Sequence, residues 1–329
     1  MRRSYRRWFR SCSFAFPAIV LVYVTVVHSG LLLAAITYGV RPLDDVISSR
    51  GFRKLLENGQ MEGHNGSVQQ HRLPQSIIIG ARKCGTRALI EFLEMHPQII
   101  SPNDEMHFFS NDSNYKLGIE WYRKKMPLSY PEQITVEKTP RYFISKISPS
   151  RIHRMNSSIK LIVILRHPTT RVISDYTQIC ANKLMKNETA EPFEMLALDR
   201  QTGQVNPEYR AIAISMYHLH IARWLELFSL NQIHIVDGEN LIVNPLEELS
   251  KLESFLNVPH IISRDWLYLN SSRGFYCMRS RQGRQKCLGA NKGRKHVNIS
   301  ERVTLKLNAF FKPHNEKLFQ LIGRRFHWS

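Results

Sequence analysis

Four short apolar runs mark the middle of the chain: Gln75–Gly80, Gln133–Val136, Lys160–Leu165 and Gln232–Val236. They are dense in Ile, Val and Leu and too short for helices, which predicts strands buried on both faces. Between and after them, apolar positions recur at helical spacing over Thr86–His96, Tyr115–Lys125, Thr169–Ala181, Glu208–Phe228 and Pro245–Leu256. Strands separated by helices predict an α/β fold, a single domain with a central parallel sheet flanked by helices. Ligands in such sheets bind beyond the carboxyl ends of the strands, where the loop after Gly80 lies.

A longer apolar run, residues 13–40, follows Arg2, Arg3, Arg6, Arg7 and Arg10. It is long enough to cross a hydrocarbon layer of about 30 Å. The basic flank predicts a cytoplasmic tail (1–12), a transmembrane signal anchor (13–40) and a luminal remainder. A cleaved signal peptide with small Ala34 and Ala35 is the rival reading, but its apolar core would be too long. The polar stretch 41–72, with "NGQMEGHNGS", reads as a stem, leaving 73–329 as the globular domain. Six Asn-x-Ser/Thr sequons begin at Asn65, Asn111, Asn156, Asn187, Asn270 and Asn298, all beyond the anchor. That position suits a luminal glycoprotein.

The chain carries 46 Lys and Arg against 27 Asp and Glu, a net charge of +19, which calls for an anionic partner. A luminal position disfavours nucleic acid and leaves acidic membranes or polysaccharides. Residues 273–325 hold fourteen Lys and Arg against Glu301 and Glu316, and read as a polyanion-binding surface. Of five cysteines, Cys277 and Cys287 lie in the turn-rich "CMRSRQGRQKC" and are expected to form a disulfide; Cys84 and Cys180 lack an evident partner. No CxxC pair or His/Cys cluster suggests zinc.

The chemistry concentrates in "IIIGARKCGTRAL". A strand, a Gly-containing basic loop and a helix bring free N–H groups and a positive helix end to one point. Gly80 and Gly85 permit close backbone approach, Thr86 offers a hydroxyl, and Lys83 and Arg87 bring charge. A Walker loop would place Lys directly after the second Gly, so nucleoside triphosphate hydrolysis is disfavoured. "LIVILRHPTTRVISDYTQ" repeats the arrangement, with Arg166 at a strand end and Ser174 in the following helix. Two anion sites at strand ends suit a nucleotide with phosphates at both ends, such as 3′-phosphoadenosine 5′-phosphosulfate.

These segments, with "EMHFF", "ITVEKTPRYF" and "CLGANKGRKH", occur in the order and spacing of the heparan sulfate glucosamine 3-O-sulfotransferases, and the chain resembles that family from Leu73 to Trp328. "GIEWYRKKMP", "RMNSSIKL" and "VDGENLI" look most like its type-5 branch. The resemblance implies a P-loop-like sulfotransferase fold, a Golgi membrane location, and sulfuryl transfer from 3′-phosphoadenosine 5′-phosphosulfate to the 3-hydroxyl of glucosamine. It places the 5′-phosphosulfate at Lys83, Cys84, Gly85, Thr86 and Arg87, and the 3′-phosphate at Arg166 and Ser174. Tyr276 and Asn291, Lys292, Gly293, Arg294 and Lys295 resemble the remaining donor contacts. The acceptor would meet Glu105, Met106, His107, Phe108, Phe109, Ser110 and Asn111, then Lys138, Thr139, Pro140 and Arg141, with Gln178 a further contact.

A sugar hydroxyl is a poor nucleophile, so a carboxylate must take its proton; Glu105 matches the family's base, with His107 orienting it. Lys83 and Lys138 are the cations for the leaving phosphate oxygen, in the role magnesium plays in kinases, so no metal is required. Three positions depart from the family's pattern. Cys84 replaces a glycine, at a cost of about 1 kcal/mol if φ there is positive. His167 stands where an acid is common and would lose its salt bridge. Arg141 stands where a small residue is usual. The alternative function is a weak or inactive paralogue that binds heparan sulfate. A metal-dependent glycosyltransferase would need an Asp-x-Asp motif, which is absent.

Overall fold

The computed structural model describes residues 67–279, 283–289 and 293–328. The expected tail, anchor and most of the stem lie outside the described residues, as do Asn291 and Lys292. Among the described residues no helix is long and apolar enough to cross a membrane. Among the described residues the first strand lies slightly before Leu73: Gln70–His71 pairs antiparallel with Leu128–Ser129. His71 bonds through Nδ1 to the Met126 carbonyl at 2.6 Å.

The central sheet has five strands: β1 (Ser76–Gly80), β2 (Ile99–Ile100), β3 (Ile134–Lys138), β4 (Lys160–Leu165) and β5 (Ile233–Asp237). All pairs are parallel, in the order β2-β3-β1-β4-β5. The four apolar runs are four of these strands. Ile77, Ile78 and Ile79 of β1 and Leu161 through Leu165 of β4 have no exposed surface, as two-sided coverage requires. The fifth strand, β2, is two residues long and gives no run to read.

The helices that matter for the site are α1 (Thr86–Leu93), α2 (Pro168–Leu184), α3 (Tyr217–Leu225), α4 (Pro245–Leu256) and α5 (Glu301–Ile322). The expected helix Glu208–Phe228 is broken at Met216, whose ψ of 65° leaves the helical region. The expected helix Tyr115–Lys125 divides into Asp112–Lys116 and Gly118–Lys125, because Gly118 takes φ 82°. Helix α5 buries Val303, Leu307, Phe311, Leu318 and Ile322 and packs on α2 and α3.

The basic stretch 273–325 is therefore not one continuous polyanion face. Several of its cations are engaged internally. Arg273 bonds to the Leu288 carbonyl at 2.6 Å, Lys306 to that of Gly203 at 2.5 Å and Arg324 to that of Ile235 at 2.9 Å. Within the stretch, β7 (Phe275–Arg279) and β8 (Gln285–Lys286) form an antiparallel sheet with β6 (Leu267–Asn270), which precedes the stretch. Cys277 and Cys287 form the expected disulfide across this sheet, with Cα atoms 4.6 Å apart. Lys286 Nζ reaches Glu91 of α1 at 3.3 Å and ties this small sheet to the phosphate-loop helix.

Candidate active site

The parallel register brings the functional segments to one edge. Lys138 at the end of β3 lies level with Ile78 of β1, and Leu165 of β4 with Asp237 of β5. The loops after Gly80, Lys138, Leu165 and Asp237 thus leave the same carboxyl edge side by side.

The first loop is shaped by backbone signs. Lys83 takes φ 73° and Gly85 φ 110°, with Cys84 between them outside the positive region. Alternation of this kind makes a concavity lined by N–H groups, suited to an anion, at the start of α1. Gly80 is required for packing: a Cβ there would lie 2.4 Å from Phe143 Cβ. Arg87 is directed away from the loop, donating to Glu91 at 2.6 Å one turn further along α1.

Cys84 corrects the sequence expectation. No left-handed backbone strain attaches to it. Its side chain is buried, with Sγ 3.5 Å from the Tyr217 hydroxyl, and burial raises its thiol pKa. Tyr217 in turn donates to the Arg166 carbonyl at 3.0 Å. The cysteine therefore ties the first anion loop to the second. Cys84→Gly is expected to destabilise the fold by about 1–2 kcal/mol through lost packing and added chain freedom. Thermal unfolding of the variant several degrees below the parent checks this.

Arg166 is held by an acid that the local sequence did not reveal. Its Nε and Nη2 donate to Glu239 at 3.2 and 3.0 Å, and the His167 N–H donates to the same carboxylate at 3.2 Å. Glu239 thus provides Arg166 with a carboxylate partner from the turn after β5, and leaves its Nη1 side for an anion. Gly238 makes this approach possible, since a Cβ there would lie 2.5 Å from Arg166 Cγ. His296 lies among the same charges: burial, then Arg166 and Lys83, lower its pKa. Sequence reading missed Glu239, Gly238 and His296; "VDGENLI" stood only as a branch marker.

One face of α2 completes this side. Arg171, Ser174, Asp175 and Gln178 fall on it at helical spacing. Arg82 of the first loop pairs with Asp175 at 3.1 Å, and Arg294 donates to Gln178 Oε1 at 2.8 Å. Ser174 lies between these two anchors, beside Arg171, whose guanidinium is fully buried against Asp175 and Ser215. Gln178, expected on the acceptor, thus partners Arg294, expected on the donor. Gly293, at φ 64°, packs on Phe275, next to the half-buried Tyr276.

On the acceptor side Lys138 Nζ donates to Glu105 Oε1 at 2.5 Å, and His107 Nε2 lies 3.5 Å from Glu105 Oε2. His107 takes φ 50°, a conformation that costs a residue with a Cβ about 1 kcal/mol and is characteristic of functional segments. Phe108 and Phe109 were expected on the acceptor. They are 1% and 0% exposed, stacked or edge-on against Tyr122, and anchor the segment from beneath. Thr139, with no exposed surface, and buried Pro140 are likewise supports. Asn111 caps the helix Asp112–Lys116, accepting from the N–H groups of Ser113 and Asn114.

Glu137 organises this half. Strand alternation turns it to the face opposite Lys138. It is fully buried, accepts from Thr139 Oγ1 at 2.5 Å and from Tyr122 at 3.5 Å, and bonds to the Met106 backbone. Burial pushes its pKa up to about 7. A carboxyl raised in the folded state binds more protons there than when unfolded, so its contribution to stability is lost as pH rises through about 7. Buried His218 and half-buried His220 and His234, held down to about 4 chiefly by desolvation, work the other way: their contribution is lost as pH falls from 6.5 towards 4. Glu137→Gln is expected to remove only the first trend. Melting curves of parent and variant from pH 5 to 8 isolate it: the parent loses its stability advantage towards pH 8.

A parallel sheet with two basic strand–loop–helix turns and a carboxylate–lysine pair on one edge is the fold of a sulfotransferase. The sequence profile described as "Sulfotransferase domain" matches residues 73–322. The chain is 50% identical over 283 residues to heparan sulfate glucosamine 3-O-sulfotransferase 5 of Mus musculus, covering 84% of this chain and 82% of that protein. The Homo sapiens protein of the same name is 50% identical over 303 residues, covering 91% and 87%. A crystal structure of a sulfotransferase from Alicyclobacillus acidocaldarius shares the fold, with a TM-score of 0.59 at 20% identity, over 78% of this chain and 98% of that one. The chain belongs to the heparan sulfate glucosamine 3-O-sulfotransferase family.

Proposed function

We propose that this chain transfers a sulfuryl group, in line, from 3′-phosphoadenosine 5′-phosphosulfate to the 3-hydroxyl of glucosamine in heparan sulfate, with Glu105 as general base. The carrying observation is the Glu105–Lys138 pair on the sheet edge that also bears the Lys83–Arg87 loop. The residues fit the donor: a positive-φ N–H concavity for one end, and Arg166, Ser174 and the Gly293–Lys295 segment for the other. The donor supplies an activated sulfuryl group whose departure leaves negative charge on a phosphate oxygen.

Glu105 accepts the hydroxyl proton as the nucleophile attacks, and His107 keeps the carboxylate aimed. Lys83 and Lys138 place positive charge where the leaving oxygen gains negative charge, which lowers the barrier most in a water-poor site. We place the domain in the Golgi lumen, anchored through residues 13–40 as a type II protein. Heparan sulfate is its partner in this reading, consistent with the homologous proteins' names. The non-catalytic reading rested on Cys84, His167 and Arg141. The inward Cys84 side chain and the Glu239 carboxylate weigh against it.

The test is incubation of the chain, purified from an oxidising secretory host, with labelled donor and N-sulfated heparan sulfate. Label at the glucosamine 3-position is expected. Heparin binding without transfer would overturn the assignment.

A further inference from the structure

Next to the Glu105–His107 pair, a cleft of about 480 Å³ is lined by His107, Ser110, Asn111, Asp112, Ser113 and Arg141. Its charge is set by one residue. Asp112, the acid of the lining, is neutralised by Arg151 at 2.5 Å, and Arg151 is itself fixed over the Tyr115 ring. Arg141 is exposed, and no hydrogen bond or ion pair holds its guanidinium among the described residues. Its backbone is well placed, at the cap of a 3₁₀ turn (Tyr142–Ile144) whose Tyr142 and Phe143 have no exposed surface. A free planar donor fork thus stands on a rigid base, in the same cleft as His107.

Resting on the transferase reading, we propose that Arg141 is a specificity residue that grips an O-sulfo group on the acceptor, on the glucosamine itself or on a neighbouring uronate. A guanidinium fork satisfies two oxygens of an oxyanion. The hydroxyl of exposed Ser113 and the amide of exposed Asn111 supply donors for a third. A sulfate ester has three terminal oxygens and a uronate carboxylate two, so the donor-rich lining fits the sulfate. The consequence is a preference for already O-sulfated chains over chains that carry N-sulfo groups alone.

The test uses three matched oligosaccharides: N-sulfated only, N-sulfated with a uronate 2-O-sulfo group, and N-sulfated with a glucosamine 6-O-sulfo group. Binding by calorimetry and kcat/KM for transfer are measured for the parent, Arg141→Ala and Arg141→Lys. The expected result is a roughly tenfold loss of the parent's preference for one O-sulfated oligosaccharide in Arg141→Ala, carried in KM, with partial retention in Arg141→Lys. Which O-sulfated arm responds identifies the position gripped. Equal losses on all three oligosaccharides would mean a carboxylate contact, and gains on all three an obstruction; either overturns the proposal. The binding arm reads the preference even if turnover is absent, so failure of the transferase reading shows separately, as binding without transfer.

Discussion

Glu105→Gln is expected to lower kcat by about 10²–10⁴-fold while leaving donor affinity unchanged. The amide keeps the shape and a hydrogen-bond acceptor for Lys138, but it cannot take a proton from the acceptor hydroxyl. Loss in kcat with unchanged binding is the pattern of an interaction made only in the transition state. Rapid-quench transfer, alongside calorimetry with 3′-phosphoadenosine 5′-phosphate, checks it. A variant retaining a tenth or more of the parent rate would move the base elsewhere. Because Lys138 is 2.5 Å from Glu105, Lys138→Ala confounds two roles and is the poorer first experiment.

The second large effect lies at Arg166. Arg166→Ala is expected to weaken donor binding about 100-fold, the worth of a charge-assisted bond to a phosphate at roughly 1.5–3 kcal/mol. Part of that loss comes from Glu239, whose carboxylate would remain near the site with no cation opposite it. Arg166→Lys keeps the charge but cannot serve Glu239 on one side and an anion on the other, so it should fall between. Glu239→Gln separates the contributions: it keeps a hydrogen-bonding side chain and removes the repulsion. Calorimetry on the three variants reads the order directly, and equal donor affinity in parent and Arg166→Ala would remove Arg166 from the donor site.

Legibility from sequence followed the physics of each element. Buried parallel strands such as Lys160–Leu165 are continuous apolar runs and declare themselves. Helix Pro245–Leu256 was bounded correctly by its N1 proline and by its apolar spacing. Helix α5 went unread because its lysines and arginines draw attention to charge, and Pro313 interrupts its interior. Its stripe at Val303, Leu307 and Phe311 was nevertheless present at i, i+4 spacing. The antiparallel strands β6 to β8 are two to five residues long and carry no sustained alternation that would stand out.

The site divides the same way. Gly-rich basic loops at strand ends are local signals, and the family resemblance supplied Glu105. Contacts that close across the sheet edge are not local. Glu239 reaches Arg166 across 73 residues, and Lys138 reaches Glu105 across 33. Glu137 gives no local signal of its role, since only strand alternation, which places it on the face opposite Lys138, turns it inward.

The Cys277–Cys287 bond has a practical consequence for making the protein. The segment from Gly293, proposed for the donor, follows closely on the cross-linked sheet, which otherwise meets the body through contacts such as Lys286–Glu91 and the packing of β7 on Asn240–Val243. Chain produced in a reducing bacterial cytosol can complete its parallel sheet, yet lacks the covalent bond that holds this flap in register. Such material would pass a test of secondary structure and fail one of nucleotide affinity. Batches are best graded by free-thiol titration: Cys277 and Cys287 blocked, with Cys84 accessible only after unfolding.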